Sequence, residues 1–81
     1  MYPIKPLSPE VTLSNVTPSD ISDATNVYLV NTHTADVVVT LSAGGTFTMV
    51  TDQVVVVRKE PTTTLLASVD AVIKATRCGI L

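Results

Sequence analysis

The sequence predicts an all-β protein, a small antiparallel β-sandwich or barrel of five to seven short strands with an extended N-terminal arm. Three observations predict it. Roughly a third of the residues are Val or Thr, β-branched types that fit a pleated, half-buried surface and lose χ1 freedom in helices. From Asn26 onward these residues gather into runs of strand length, DVVVTL, GTFTMV, QVVVVRKE, TTTLLA and AVIKAT, each bounded by turn chemistry. Before that point Pro3, Pro6, Pro9 and Pro18 remove backbone donors and favour extended or turn geometry. The chain divides accordingly into a Pro-containing arm, residues 1–25, and a β domain, residues 26–81.

Within the domain, VYLVN from Val27 is the first strand, and Asn31 to Asp36 is a polar connection to the second. On that second strand Val37, Val39 and Leu41 share one face and Val38 and Thr40 the other, following the two-residue period of the pleat. Ser42-Ala43-Gly44-Gly45 supplies glycines for a tight hairpin. Phe47 and Met49 then alternate with Thr46 and Thr48, which predicts a strand with a threonine face toward water. Thr51-Asp52-Gln53 turns the chain again. The Val54 to Val57 run shows no alternation and is expected to be buried on both faces; its β-branched residues decide for strand over helix. Arg58-Lys59-Glu60-Pro61 ends it. Thr62 to Ala67 and Ala71 to Thr76 form two further strands around Ser68-Val69-Asp70, with Leu65-Leu66-Ala67 open to a helical turn instead.

In the arm, Ser8-Pro9-Glu10 and Thr17-Pro18-Ser19-Asp20 each have the form of a hydroxyl N-cap, a Pro at the first helical position and an acid in the first turn. One or both are expected to form a single helical turn. The arm's apolar residues, among them Tyr2, Ile4, Leu7, Val11 and Leu13, do not offset the entropy of ordering it alone. It is therefore expected to dock on its own sheet, on a second copy or on another protein.

At 81 residues the chain is one domain, near the size at which a single core supplies only about 3–5 kcal/mol. Cys78 is the only cysteine, so no disulfide staples the chain from within, and Cys78 with His33 cannot make a zinc site. Support is expected from other chains, other copies of this one in a homo-oligomer included. A net charge of −2 and a pI near 4.9 argue against a nucleic-acid binder. No stretch reaches the ~20 apolar residues of a membrane span. Pro3 and Pro6 stand where the apolar core of a signal peptide would be, so the chain is expected to be used without export. The Asn15-Val16-Thr17 sequon is accordingly read as accidental.

No constellation for catalysis, cofactor or metal is legible, and a non-enzymatic role is expected. His33 lies in a polar turn without a nucleophile signature. Cys78 reads as a small buried hydrophobe, and Asp52, Glu60 and Asp70 as turn formers. Gly44-Gly45 lacks the Gly-Lys-Ser/Thr of a phosphate loop. Arg58-Lys59 is open to two readings, a contact for an acidic partner surface or charges that blunt an exposed strand edge. The candidate partner-binding residues are thus Tyr2, Ile4, Leu7, Val11, Leu13, Arg58 and Lys59. A soluble module binding a small ligand or glycan through its loops is the rival class. With one Phe, two Tyr and no Trp, the chain has little aromatic surface for such a site.

The order of elements from Asn26 to Thr76 carries a resemblance: NVYLVNT, a hairpin into GTFTM, a Val-rich strand ending in a cation, TTTLLAS and a closing AVIKAT. In this order the chain resembles small virion structural proteins of tailed bacteriophages, particularly those of phages of marine cyanobacteria. The resemblance implies a non-enzymatic protein of the virion present in many copies. The first expectation is a capsid decoration or cement protein that stabilises the shell of major capsid protein through its arm and β domain; the alternative is a ring component among neck or tail proteins. No functional residue is carried over, and the arm lies outside the resemblance.

Overall fold

The computed structural model describes residues 4–80, and the side chains of residues 5–79. Eight short strands run in chain order: β1 Ile4–Pro6, β2 Val11–Thr12, β3 Asn26–Asn31, β4 Val37–Leu41, β5 Thr46–Met49, β6 Val54–Arg58, β7 Leu65–Ala67 and β8 Ile73–Ile80. Every pairing is antiparallel. One sheet is ordered β1-β8-β3-β6 with β2 also on β8, and the other is ordered β5-β4-β7. The expected all-β class is therefore found. Six strands come from the region after Asn26, and the arm adds two.

Alternation builds the core. Val27, Leu29, Ile73 and Ala75 of the first sheet face Val37, Val39, Met49, Leu65 and Ala67 of the second, all buried. The opposite face of β4 and β5 is Thr40, Thr46 and Thr48, exposed as the sequence predicts. The hairpin between them closes with Leu41 N–H donating to the Gly45 carbonyl, while Gly44 takes the positive φ of +105° that the tight turn demands. The radius of gyration is 11.3 Å, close to the ~12 Å of a packed domain this size. A dangling arm would raise it.

The arm is folded into its own sandwich. β1 pairs with the end of β8 in the register Ile4 to Ile80, and β2 with its middle in the register Val11 to Ala75. Between them the four residues Leu7 to Glu10 span only Thr76 and Arg77, so the arm bulges. Leu13, Ile21 and Ala24 then enter the core. What offsets the entropy of ordering is main-chain pairing along β8, which side-chain burial alone did not count.

Neither expected helical turn forms. The Ser8 hydroxyl accepts from the Arg77 N–H, which spends the first cap on β8. Ser19 both donates to and accepts from Leu65, at 3.1 and 2.8 Å, and that bridge demands extended backbone. The reversal comes after it, in a left-handed turn at Ile21, Ser22 and Asp23 with φ of 53°, 57° and 58°. Such geometry costs about 1–2 kcal/mol per L-residue; burial of Ile21 holds it in place.

Later elements also depart from expectation. Leu65–Ala67 is strand, resolving that ambiguity. It begins late because Thr63 N–H closes a turn onto the Glu60 carbonyl. β8 runs four residues past Thr76, to Ile80, because β3 and the arm pair with it on either side. The Val54–Val57 segment is half-buried throughout, not enclosed on both faces, because only Val55 and Val57 face the second sheet and because β6, an edge strand, leaves one flank open. Asn31, read as the junction between the first strand and its polar connection, ends β3 and is fully buried. Its amide donates to the carbonyls of Met49 at 2.8 Å, Val50 at 3.1 Å and Ala35 at 3.3 Å, and its oxygen accepts from the His33 N–H at 2.8 Å. One side chain thus ties the β3–β4 connection to the β5–β6 turn.

Candidate interaction surface

The two sides of the sandwich are finished differently. On the arm side, Leu13 N–H donates to Ile73, Ala67 N–H to Ser14, and Ser19 bridges Leu65. The arm thereby crosses from the edge of the first sheet to the edge of the second. On the other side, β5 and β6 are the edges of the two sheets, joined by the Val50–Gln53 turn.

The pairing of β6 with β3 fixes which of its main-chain groups are spent. Asn31 N–H donates to the Gln53 carbonyl at 3.0 Å and Lys59 N–H to the Thr25 carbonyl at 2.8 Å, both on the β3–β6 register. Bonded pairs recur at every second residue of an antiparallel ladder. Val55 and Val57 therefore aim their N–H and C=O groups at β3, whereas Val54, Val56 and Arg58 aim theirs outward. Among the described residues, β6 pairs with β3 alone. The side chains divide the same way: Val55 and Val57 pack on the core. Val54 and Val56 lie opposite Val30 and Tyr28 on the outer face.

The residues expected to bind a partner are not gathered into one site. Leu13 is 0% exposed and belongs to the chain's own core, so it is withdrawn from any interface. Leu7 and Val11 remain exposed at 47% and 43%, along the arm edge. Ile4 is placed by its backbone pairing with Ile80, and Tyr2 lies outside the described residues. Val16, which sequence reading did not single out for an interface, is the most exposed large apolar side chain among the described residues, at 77%.

Arg58 and Lys59 separate. Arg58 is exposed at the end of β6, while Lys59 is 8% exposed and its Nζ donates to the carbonyls of Glu60 at 3.2 Å and Pro61 at 3.4 Å. Burial pushes the Lys59 ammonium below its ordinary pKa, and the charges of Asp20 and Asp23 pull it partly back. Asp20 is held below the usual carboxylate range, first by the Asp23 backbone N–H and then by the Asp23 side chain, with Lys59 a smaller cause. Lys59 therefore faces inward and cannot serve as a contact for an acidic surface; Arg58 can. An open cleft of about 400 Å³ lies here, lined by Leu41, Ala43, Arg58, Lys59, Glu60 and Thr63.

The remaining titratable groups occupy structural positions. His33 is half-buried in the bend after β3 and is held through its backbone N–H on Asn31. Cys78 is buried, which pushes its thiol up. Asp70 accepts from the Asn15 N–H at 3.4 Å, tying a turn to the arm. Among the described residues no group of His, Cys, Asp and Glu has metal-binding proximity, and no helix is long and apolar enough to cross a membrane. Comparison of the chain with protein-family models, with curated proteins and with solved structures gives no match.

Proposed function

We propose that the chain is a non-enzymatic structural subunit of a tailed-bacteriophage virion, present in many copies and held to its neighbours by its β sandwich. The observation that carries this reading is the unprotected edge of β6, five residues long and four of them Val, beside an arm whose strands pair with β8 and whose Leu13, Ile21 and Ala24 lie in the core. Natural proteins that act alone blunt such edges with proline, charge or bulges. An edge left open suits a subunit whose neighbour completes the sheet.

Between the two placements considered, the open edge favours a neck or tail ring component over a decoration protein. A cement role was expected to work through an arm docked on the capsid lattice. Of the residues such an arm would offer, Leu13 is inside the subunit, and Leu7 and Val11 lie exposed along strands whose main chain is already paired with β8. Labelling the protein on intact particles and imaging them tests the reading. Signal at the neck or tail in a ring is the expected result; signal over the capsid faces would return the cement role, and absence from particles would end the virion reading.

A further inference from the structure

We infer that β6 is a homotypic strand-addition site, through which a second copy of this chain pairs antiparallel across a two-fold axis with Val55 opposite Val55. This rests on the reading of the chain as an assembly subunit and makes a closed pair of copies the unit that is assembled, since a two-fold contact does not itself propagate into a ring. Strand addition needs a row of outward main-chain donors and acceptors, and Val54, Val56 and Arg58 supply it. Only registers that set these residues opposite one another can form the bonded pairs. Three such two-fold registers set at least three residues of β6 against one another, centred on Val55, Val56 and Val57; the last puts Arg58 opposite Val56 of the second copy and makes no ion pair.

Charge chooses between them. With Val55 on the axis, Arg58 of each copy comes beside the turn that carries Asp52 of the other. Asp52 is left-handed with its N–H on the Asn31 carbonyl, so it contributes charge and not a ladder bond, and two ion pairs flank the strand pair. With Val56 on the axis, Glu60 stands opposite Asp52 of the second copy, and like charges meet twice. Asp52 and Glu60 are both exposed in the turns that bound β6.

The outer face completes the fit. Val30 lies opposite Val54, and Tyr28 opposite Val56. The Val55-centred register sets Val54 opposite Val56 of the second copy. Each of two rows then runs Val30, Val54, Val56, Tyr28 across the axis, and half-buried side chains at the edge gain apolar neighbours on their open side.

The test is sedimentation equilibrium of the full chain and two sets of variants. The wild type should show a reversible monomer–dimer equilibrium. Val56→Pro should be monomeric with an unchanged circular dichroism spectrum, because proline is tolerated where the lost N–H faces outward on an edge strand. Arg58→Asp should weaken the dimer about tenfold or more by opposing Asp52 of the second copy twice, and adding Asp52→Arg should restore it. This charge pair decides the matter should Val56→Pro fail to fold.

A wild type monomeric up to millimolar concentration overturns the inference, as does a dimer indifferent to Val56→Pro or Arg58→Asp. If the wild type is monomeric while Val56→Pro is lost from particles, the edge receives a strand of another protein; self-pairing falls and the virion reading stands. A dimer with the expected charge dependence, in a protein absent from particles, has the opposite meaning.

Discussion

Along the outer edge of β8 the arm runs in two pieces, bulged between them; along the outer edge of β3, β6 runs unbroken. The arm edge carries Pro6 and Pro9, which have no N–H to offer, and exposed charges at Lys5 and Glu10. The β6 edge carries Val54 to Val57 and meets its first charge at Arg58. Both edges belong to the same sheet, yet only one is built against further pairing. The difference teaches that protection follows use: the arm edge is where the two sheets are sewn together, so a competing strand there would unpick the fold. At β6 an added strand displaces nothing.

The largest expected effect comes from breaking the suture. Leu13→Ala should cost about 2–5 kcal/mol, because Leu13 is fully enclosed between the sheets. Leu7→Ala, on the exposed part of the same arm, should stay within about 0.5 kcal/mol. Urea unfolding of the two variants reads the contrast. Equal losses would mean that the arm contributes only through main-chain pairing. Removal of residues 1–25 should abolish folding, since it takes Leu13, Ile21 and Ala24 from the core and bares the edges of β7 and β8.

This asymmetry was only half legible in the sequence. The alternation in VVVTL and TFTM revealed both faces of the second sheet, because a two-residue period is local information. The docking of the arm was hidden, because it depends on pairing between residues as distant as Val11 and Ala75. Pro6 read correctly as extended chain, whereas Pro9 and Pro18 also read as helix starts that do not form, and neither reading says what the chain lies against. The Val54–Val57 run misled for a related reason. Four consecutive valines look the same locally whether a strand is enclosed on both sides or placed at an edge. Of the candidate contacts, Arg58 and Lys59 read alike as adjacent cations, and only their three-dimensional setting turns one outward and the other in.

Asn31 links the two sides less directly, and its loss should be the next largest effect. Asn31→Ala leaves the buried Met49 carbonyl without its 2.8 Å partner and the His33 N–H without its acceptor. The cost should be about 1–3 kcal/mol. Because the Asn31 amide holds the turn that leads into β6, hydrogen exchange at Asp52 and Gln53 should quicken more than exchange in β8. Uniform quickening would place the effect on global stability alone.

At the far end of β6, the buried cation gives a pH signature. Below its lowered folded pKa, Lys59 is charged in both states and its burial costs stability. Between that value and the unfolded value near 10.5, the unfolded chain keeps a proton that the folded chain has released, so stability rises with pH. The difference in urea midpoint between wild type and Lys59→Met should therefore shift toward the wild type as pH is raised toward 10.5. A constant difference would mean that the carbonyls of Glu60 and Pro61 satisfy the ammonium fully despite its burial.

The smallest effect separates the two edges by their turns. Ala71 and Asp52 both hold left-handed backbone, with φ of 59° and 63°. Ala71 precedes β8 and donates its N–H to the Leu13 carbonyl on the arm side, whereas Asp52 precedes β6 and donates to the Asn31 carbonyl. Alanine bears the full steric penalty of this region, while Asp relieves part of it through its short polar side chain. Ala71→Gly should accordingly stabilise by about 0.5–1 kcal/mol, net of the entropy that glycine adds to the unfolded chain. Asp52→Gly should gain less, and in dimers it should also lose the charge opposite Arg58 of the second copy. Thermal melts of both variants, run at dilute and concentrated protein, separate the backbone gain from the interface loss. A gain at Asp52 that matched the gain at Ala71 and did not depend on concentration would remove the turn before β6 from any role at the edge.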